Sequence, residues 1–428
     1  MPSYVENLDR LPEAASIFSA ENSKFPFLPG DSNGRKIFIH KLHGAQIAGD
    51  SLYYPDVTLY SNQDQRLYAP IREKTMSLQA VENSTQKNLG LTATAGHCDT
   101  PVFFFIYNTD NYYHFIYDSL PYLISYLHLK QQMGDLKLLM SYPTSQTKNF
   151  YKFVLEFLDL LGITATDILL AQDNLEYKEI YISSSYTHDI DSNLPPREEI
   201  HAFYQQIVAN NRPRLAPPPC RKFYISRRTW LHNDFSNIGT NYTTRRKLEN
   251  EDELVEFLLA EGFQEVFTEN LSTLEKISLF AEAEVVVGAL GGGVCNVLFS
   301  NPATQLICLV SPTFLEVNNR FRYSLERVDI SYITDTHHIE TGRFKKFMRV
   351  NCPLKNIVGE ITAVHDSTLE VAYTRETVAG WNAQNQFEQI TLNQSDCIPL
   401  DSGLNSAWAL DMNAFKNKFN MLTGNIKN

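Results

Sequence analysis

The stretch NYYHFIYDSLPYL, Asn111 to Leu123, sets an amide, an imidazole and a carboxylate among aromatics: Asn111, His114 and Asp118. Read as one helix, they fall at i, i+3 and i+7, within roughly 60° of one another on one face. Phe115, Leu120, Leu123 and Leu127 form an apolar stripe elsewhere on its surface. One face would pack and the other would present a base, an acid and an amide. A carboxylate four residues from an imidazole orients the ring and raises its basicity, as a general base requires. The same pair also serves as a purely structural contact, and both readings stand.

A second group of residues suits an anion. In VVVGALGGGVCN an apolar strand ends in Gly291, Gly292 and Gly293 and is expected to open a helix near Asn296. Backbone N–H groups at such a helix start attract phosphate, and glycine lets a ligand approach the chain. The pattern is neither the dinucleotide fingerprint nor a Walker loop, and the alternative is a tight strand–helix turn. YISRR places Arg227 and Arg228 just past a strand's C-terminal end, where open α/β sheets hold ligands. Arg245 and Arg246 follow in TTRRKLENE. Arginine grips phosphate with two donors and keeps its charge; ion pairs to nearby glutamates are the alternative.

These residues need elements to position them. From residue 101, apolar strands (PVFFFIYN, LKLLMS, EIYISSS) alternate with helical stretches, one of them closed by Gly162. That alternation implies a parallel sheet. The first hundred residues are weakly periodic, with one strand and a turn expected in RKIFIHKLHGAQI. A proline-rich break, Asn211 to Lys222, reads as a linker. Alternation then restarts as a doubly wound α/β unit, with a capping box from Ser272 to Glu275 and a helix closed by Gly262. Residues 353–400 alternate as hairpin strands do, and the last segment is helical.

The 428 residues, 43% hydrophobic and 20% charged, make a globular chain of about two domains. A net charge of −12 argues against a broad nucleic-acid surface. No run reaches membrane-span length and the N-terminus has no signal pattern, so a cytoplasmic protein with at most peripheral membrane contact is expected. Six scattered cysteines show no zinc spacing and are expected reduced.

In order along the chain, NYYHFIYD, YISRR, RKLENEDELVEFLLAEGFQEV and LSTLEKISLFAEAEVVVGALGGGVCNVLF resemble glycosyltransferase family 61 over roughly Pro101 to Pro312. The resemblance implies a GT-B-like α/β architecture, with two Rossmann-like doubly wound domains facing a cleft. Residues 1–212 would form the acceptor side, 213–222 the linker and 223–350 the nucleotide-sugar domain. Residues 351–428 would form a β-rich segment with a terminal helix. It further implies an inverting transfer from an NDP-sugar, expected to be UDP-linked, to a hydroxyl of a glycan or glycolipid. No cofactor or metal would be needed beyond the sugar nucleotide. By position, His114 and Asp118 would be catalytic. Asn111, Arg227, Arg228, Arg246, Gly291, Gly292, Gly293 and Asn296 would hold the donor. Leu290 stands where the family's loop carries a histidine, which keeps a non-catalytic nucleotide-sugar-binding or glycan-binding protein as an alternative. Asp189 and Asp191 in HDID keep a third, a Mn²⁺-dependent transferase.

Overall fold

The computed structural model describes residues 9–10, 37, 39–48, 52, 54, 57–61, 66–70, 74–77, 94, 96–144, 148–187, 195–197, 199–228, 246–312, 322–338, 344, 346, 348–373, 388–399 and 407–424. Asp189, Asp191 and Arg245 lie outside them. The chain divides into two compact units, Met1–Arg214 and Leu215–Asn428. The division falls in the proline-containing stretch that begins at Asn211.

The first unit is built on a ten-stranded mixed sheet. Val102–Phe104, Lys137–Met140 and Ile168–Leu170 lie parallel beside Leu175–Ser183, as the apolar alternation predicts. On the other side of Leu175–Ser183 the pairing turns antiparallel. It runs through Ile39–Ala48, Thr58–Ser61, Arg66–Ala69 and Lys74–Ser77. The unit therefore departs from the all-parallel, Rossmann-like sheet expected of it. Strands of four residues give too few alternations to register as a period.

The segment expected to be one regular helix is three pieces. An α-turn, Tyr112–His114, leads into a π-turn, Phe115–Ser119, and then into the helix Tyr122–Met133. Pro121 supplies the reason. In an α-helix its ring would clash with the carbonyl of Tyr117, and it has no N–H to donate. Widening the turn relieves the clash, and the N–H of Leu120 reaches back to the carbonyl of Phe115 at 2.7 Å. The next such donor would again be Pro121, so the carbonyl of Ile116 takes its hydrogen from the hydroxyl of Tyr204, on the helix Glu199–Asn211. Both the segment and Tyr204 are buried. A Tyr204→Phe variant should lose about 1–3 kcal/mol in urea melts, because it strands a buried acceptor; an unchanged midpoint would show that the carbonyl is otherwise satisfied.

The expected division into a packed and an open face is also corrected. Tyr112, Tyr113, Ile116 and Tyr117 are buried along with Phe115, Leu120 and Leu123, whereas Leu127 is only half-buried. Aromatic packing explains this. Tyr112 and Phe115 meet Phe153, each at 5.4 Å between ring centroids, and Tyr107 stacks on Tyr122 at 3.8 Å.

The second unit carries a five-stranded parallel sheet. In chain order its strands are Lys222–Ile225, Gln264–Val266, Val285–Ala289, Gln305–Leu309 and Asp329–Ile333; in space the order is second, first, third, fourth, fifth. Val285 and Val287 on one face join Leu254 and Leu258 of the helix Glu251–Ala260. Phe223 on the other face meets Phe280 of the helix Thr273–Ala281 at 5.2 Å. Ser272 and Glu275 form the expected capping box. Gly162 and Gly262 follow their helices in the left-handed conformation that glycine tolerates, at φ 73° and 82°.

The tail holds a five-stranded antiparallel sheet, from Arg349–Cys352 to Ile398–Pro399, with its own core. The terminal strand Trp408–Leu410 and helix Met412–Thr423 are not part of that appendage. Trp408, Leu410, Phe415 and Phe419 complete the core of the parallel sheet. No helix among the described residues is long and apolar enough to cross a membrane.

Candidate functional site

In the first unit the loop after strand Val102–Phe104 is closed by its own amides. The side-chain oxygen of Asn108 accepts from the backbone N–H of Asn111 at 3.1 Å, and its carbonyl accepts from the Ser119 hydroxyl at 2.8 Å. Asn111 is the N-cap, its oxygen accepting from the N–H of His114 at 3.2 Å. This fixes where His114 starts its turn. Its Nδ1 lies 2.6 Å from Oδ2 of Asp118. A carboxylate only accepts, so Nδ1 carries the hydrogen, and in the neutral imidazole Nε2 is then the nitrogen with the lone pair. Asp118 is buried at 6% side-chain exposure while His114 is 32% exposed, so the acid is fixed inside and the base faces outward. The imidazole thus has a defined tautomer and a nitrogen able to take a proton.

Asp110, which spacing did not single out, borders the same ring. Burial lifts its carboxyl from the ordinary range to about 6, and the nearby His114 opposes the rise. Burial and the charge of Asp110 together push the hydroxyl of Tyr151 up to about 12. The sign for stability follows from linkage. A raised acid favours the fold below its unfolded value, and that contribution is lost as pH climbs through about 6. Relative to Asp110→Asn, the wild-type protein should lose on the order of 2–3 kcal/mol between pH 4 and pH 8 in urea titrations. Parallel curves for the two proteins would show Asp110 to be solvated.

In the second unit the strand order reverses between the first and third strands, and both exits lead to the residues singled out for an anion. Arg227 and Arg228 follow Ile225, and Gly291–Gly293 follow Ala289. The glycines are needed for close approach. A Cβ on Gly291 would stand 3.2 Å from Nη1 of Arg227, and one on Gly293 would stand 2.8 Å from Cγ2 of Ile225. Arg227 therefore lies against the glycine turn. Burial lowers its pKa from the ordinary arginine value, and the charge of Glu251 is the first of the effects opposing that. Arg228 is differently placed. It makes a two-point ion pair with Glu265 at 2.9 and 2.6 Å and meets Asp252 at 2.6 Å. Its guanidinium holds the first strand's exit to the second strand.

The element after the glycines is a six-residue 3₁₀ turn, Val294–Phe299, not the expected α-helix. The fully buried Asn296 closes it by donating to the carbonyl of Gly293 at 2.9 Å. Leu290 is buried, and its N–H donates to the carbonyl of Leu309. Arg246 sits in the left-handed region at φ 52°, its carbonyl accepting from Nε1 of Trp408 at 2.8 Å.

Two glutamates complete this end of the sheet, and neither was singled out by sequence. Oε1 of Glu251 accepts from the Tyr224 hydroxyl at 2.8 Å, the Arg227 N–H at 2.7 Å and the Ser226 hydroxyl at 3.3 Å. Its neighbour Asn250 clamps Leu410 by donating to its carbonyl and accepting from its N–H. Both glutamate and asparagine lay in the quoted RKLENE motif, which was the available signal. Glu269 follows the second strand in the turn Thr268–Asn270. Among the described residues no group of three metal-binding side chains assembles.

The residues proposed from sequence thus separate into two sets. Asn111, His114 and Asp118 form one in the first unit; Arg227, Gly291, Gly292, Gly293 and Asn296 border one sheet end in the second, where Arg228 is turned to its glutamate and the Arg246 carbonyl is held by Trp408. No curated protein matches the chain. The family model described as Glycosyltransferase 61 matches residues 112–307, from the His114 turn to the fourth strand of the parallel sheet. Such a match indicates a glycosyltransferase, an enzyme of glycan biosynthesis. Between residues 112 and 307 the chain matches glycosyltransferase family 61, the family its motifs resemble.

Proposed function

We propose that the protein is an inverting glycosyltransferase of GT-B type that moves a sugar from an NDP-sugar, UDP-linked, to a hydroxyl of a glycan or glycolipid. The observation that carries this reading is the His114–Asp118 pair: a fixed, half-exposed base at the head of the family-matched residues. Nε2 of His114 takes the acceptor hydroxyl's proton. The oxygen attacks the anomeric carbon opposite the diphosphate, the old C–O bond breaks, and its electron pair leaves with the nucleoside diphosphate. Asp118 steadies the imidazolium that forms. Arg227, Arg246 and the backbone at Gly291–Gly293 meet the charge on the diphosphate and take the place a metal would otherwise fill. Asn296 keeps the turn in shape.

A thermal-shift screen tests this reading, using UDP, GDP, CMP and common nucleotide sugars, with and without Mn²⁺, on wild type and Arg227→Ala. A ligand at a hundred times its Kd should add about 2.7 kcal/mol. We expect a base-specific shift, indifferent to Mn²⁺ and absent in the variant. A shift that needs Mn²⁺ would favour the Asp189/Asp191 reading. Binding without any turnover would favour the non-catalytic one, which the buried Leu290 supports. No shift with any nucleotide would end the donor-site assignment.

A further inference from the structure

The antiparallel sheet of the tail has a core of its own and a sequence divided by charge. Residues 341–359 include Arg343, Lys345, Lys346, Arg349 and Lys355 and no acid, in a chain of net charge −12. This run leads through the strand Arg349–Cys352 and the turn Pro353–Lys355 into the strand Ile357–Val364. The acids of the sheet lie beyond it. Glu360 stands opposite Arg349 in register, Glu370 meets His365 at 3.3 Å, and Glu388 accepts from the Tyr373 hydroxyl at 2.8 Å. Asp396 accepts from the Asn393 amide and the Ser395 hydroxyl, each at 3.1 Å. Lys346 and Lys355 are both exposed.

Apolar side chains project from the same part of the sheet. Leu354, in the middle of the turn, is 80% exposed. Asn356 closes that turn in the left-handed region at φ 52°, its N–H donating to the carbonyl of Pro353 at 3.2 Å. Ile398, paired in register with Asn351 on the adjoining strand, is 51% exposed. Neither side chain belongs to the tail's core. A folded partner would need a pocket matched to a leucine held out on a turn. A bilayer takes any apolar side chain that projects, and anionic headgroups attract the cations beside it; the two attractions together give stable docking where either alone is weak. We propose that this edge of the tail sheet docks on an anionic lipid surface, with Leu354 and Ile398 entering the bilayer and Lys355 and Lys346 meeting headgroup phosphates. The proposal does not depend on the donor-site reading. Docking of this kind holds a glycosyltransferase beside lipid-linked acceptors.

The test is co-sedimentation of the full chain with sucrose-loaded vesicles of phosphatidylcholine, alone or mixed with phosphatidylglycerol, at low and high salt. Wild type, Leu354→Ser, Lys355→Gln and Leu354→Trp are compared, with far-UV circular dichroism and urea midpoints to confirm folding. Leu259→Ser is the control, because it removes a side chain 51% exposed on the helix Glu251–Ala260. Wild type should bind the mixed vesicles, bind less at high salt, and bind phosphatidylcholine far more weakly. Leu354→Ser should weaken binding about 10- to 100-fold and Lys355→Gln about fivefold. Leu259→Ser should bind as wild type does. Bound Leu354→Trp should be quenched by brominated acyl chains, as a ring below the headgroups is. Failure of wild type to bind, equal binding to both vesicle types, or unchanged binding by folded Leu354→Ser overturns the proposal. Self-association that Leu354→Ser abolishes, without vesicle binding, also overturns it and assigns the turn to a second copy of the chain.

Discussion

A His114→Gln variant should retain nucleotide affinity and lose sugar transfer by roughly 10²- to 10⁴-fold, the range general-base removal produces. The expectation comes from how the ring is held. Asp118 is buried and accepts from Nδ1 at 2.6 Å, so the ring's remaining nitrogen is the proton acceptor. Glutamine keeps a polar side chain of similar reach but offers no basic nitrogen. Asp118→Asn should be nearly as damaging to turnover, since an amide can donate to Nδ1 and present the wrong tautomer outward. The measurement is single-turnover transfer beside nucleotide titration. Transfer within threefold of wild type in His114→Gln would remove the imidazole from the chemistry. Loss of binding with turnover preserved at saturation would move His114 to the donor.

Trp408→Ala should cost about 3–5 kcal/mol of stability, the range for truncating a buried aromatic. Trp408 is 1% exposed and sits among Leu248, Leu254 and Leu410 in the core of the parallel sheet. It also bonds across 162 positions of sequence, donating from Nε1 to the carbonyl of Arg246 at 2.8 Å. Its backbone pairs with Lys247 and Glu249, at 3.0 and 2.9 Å. The terminal strand therefore pins the left-handed Arg246, and losing it should weaken nucleotide binding as well as melt the unit earlier. Trp408→Phe separates the two effects. It keeps most of the packing and strands one carbonyl, so about 1–3 kcal/mol is expected. Urea denaturation and nucleotide titration report both. An Ala variant as stable as wild type would show that the terminal strand and helix are dispensable to the core.

Local chemistry made part of this protein legible in sequence. Capping at Ser272–Glu275, helix ends at Gly162 and Gly262, the apolar strands, the hairpin tail and the four-residue step from His114 to Asp118 all depend on residues near one another in the chain. The strand at Ile39–Ala48 was expected, but Thr58–Ser61, Arg66–Ala69 and Lys74–Ser77 escaped because four residues are too few to show a period. What the tertiary structure decided depends on residues far apart. Tyr204 supplies the hydrogen that Pro121 withholds, which makes a π-turn where periodicity predicts an α-helix. Glu265, on the neighbouring strand, occupies Arg228 and leaves Arg227 as the arginine against the glycines. Burial alone raises Asp110 to about 6, and no feature of its neighbours in sequence announces that. Spacing names the residue types that can meet; desolvation and long-range partners, set only when the chain is packed, decide which of them carry charge to a site and which spend it on the fold.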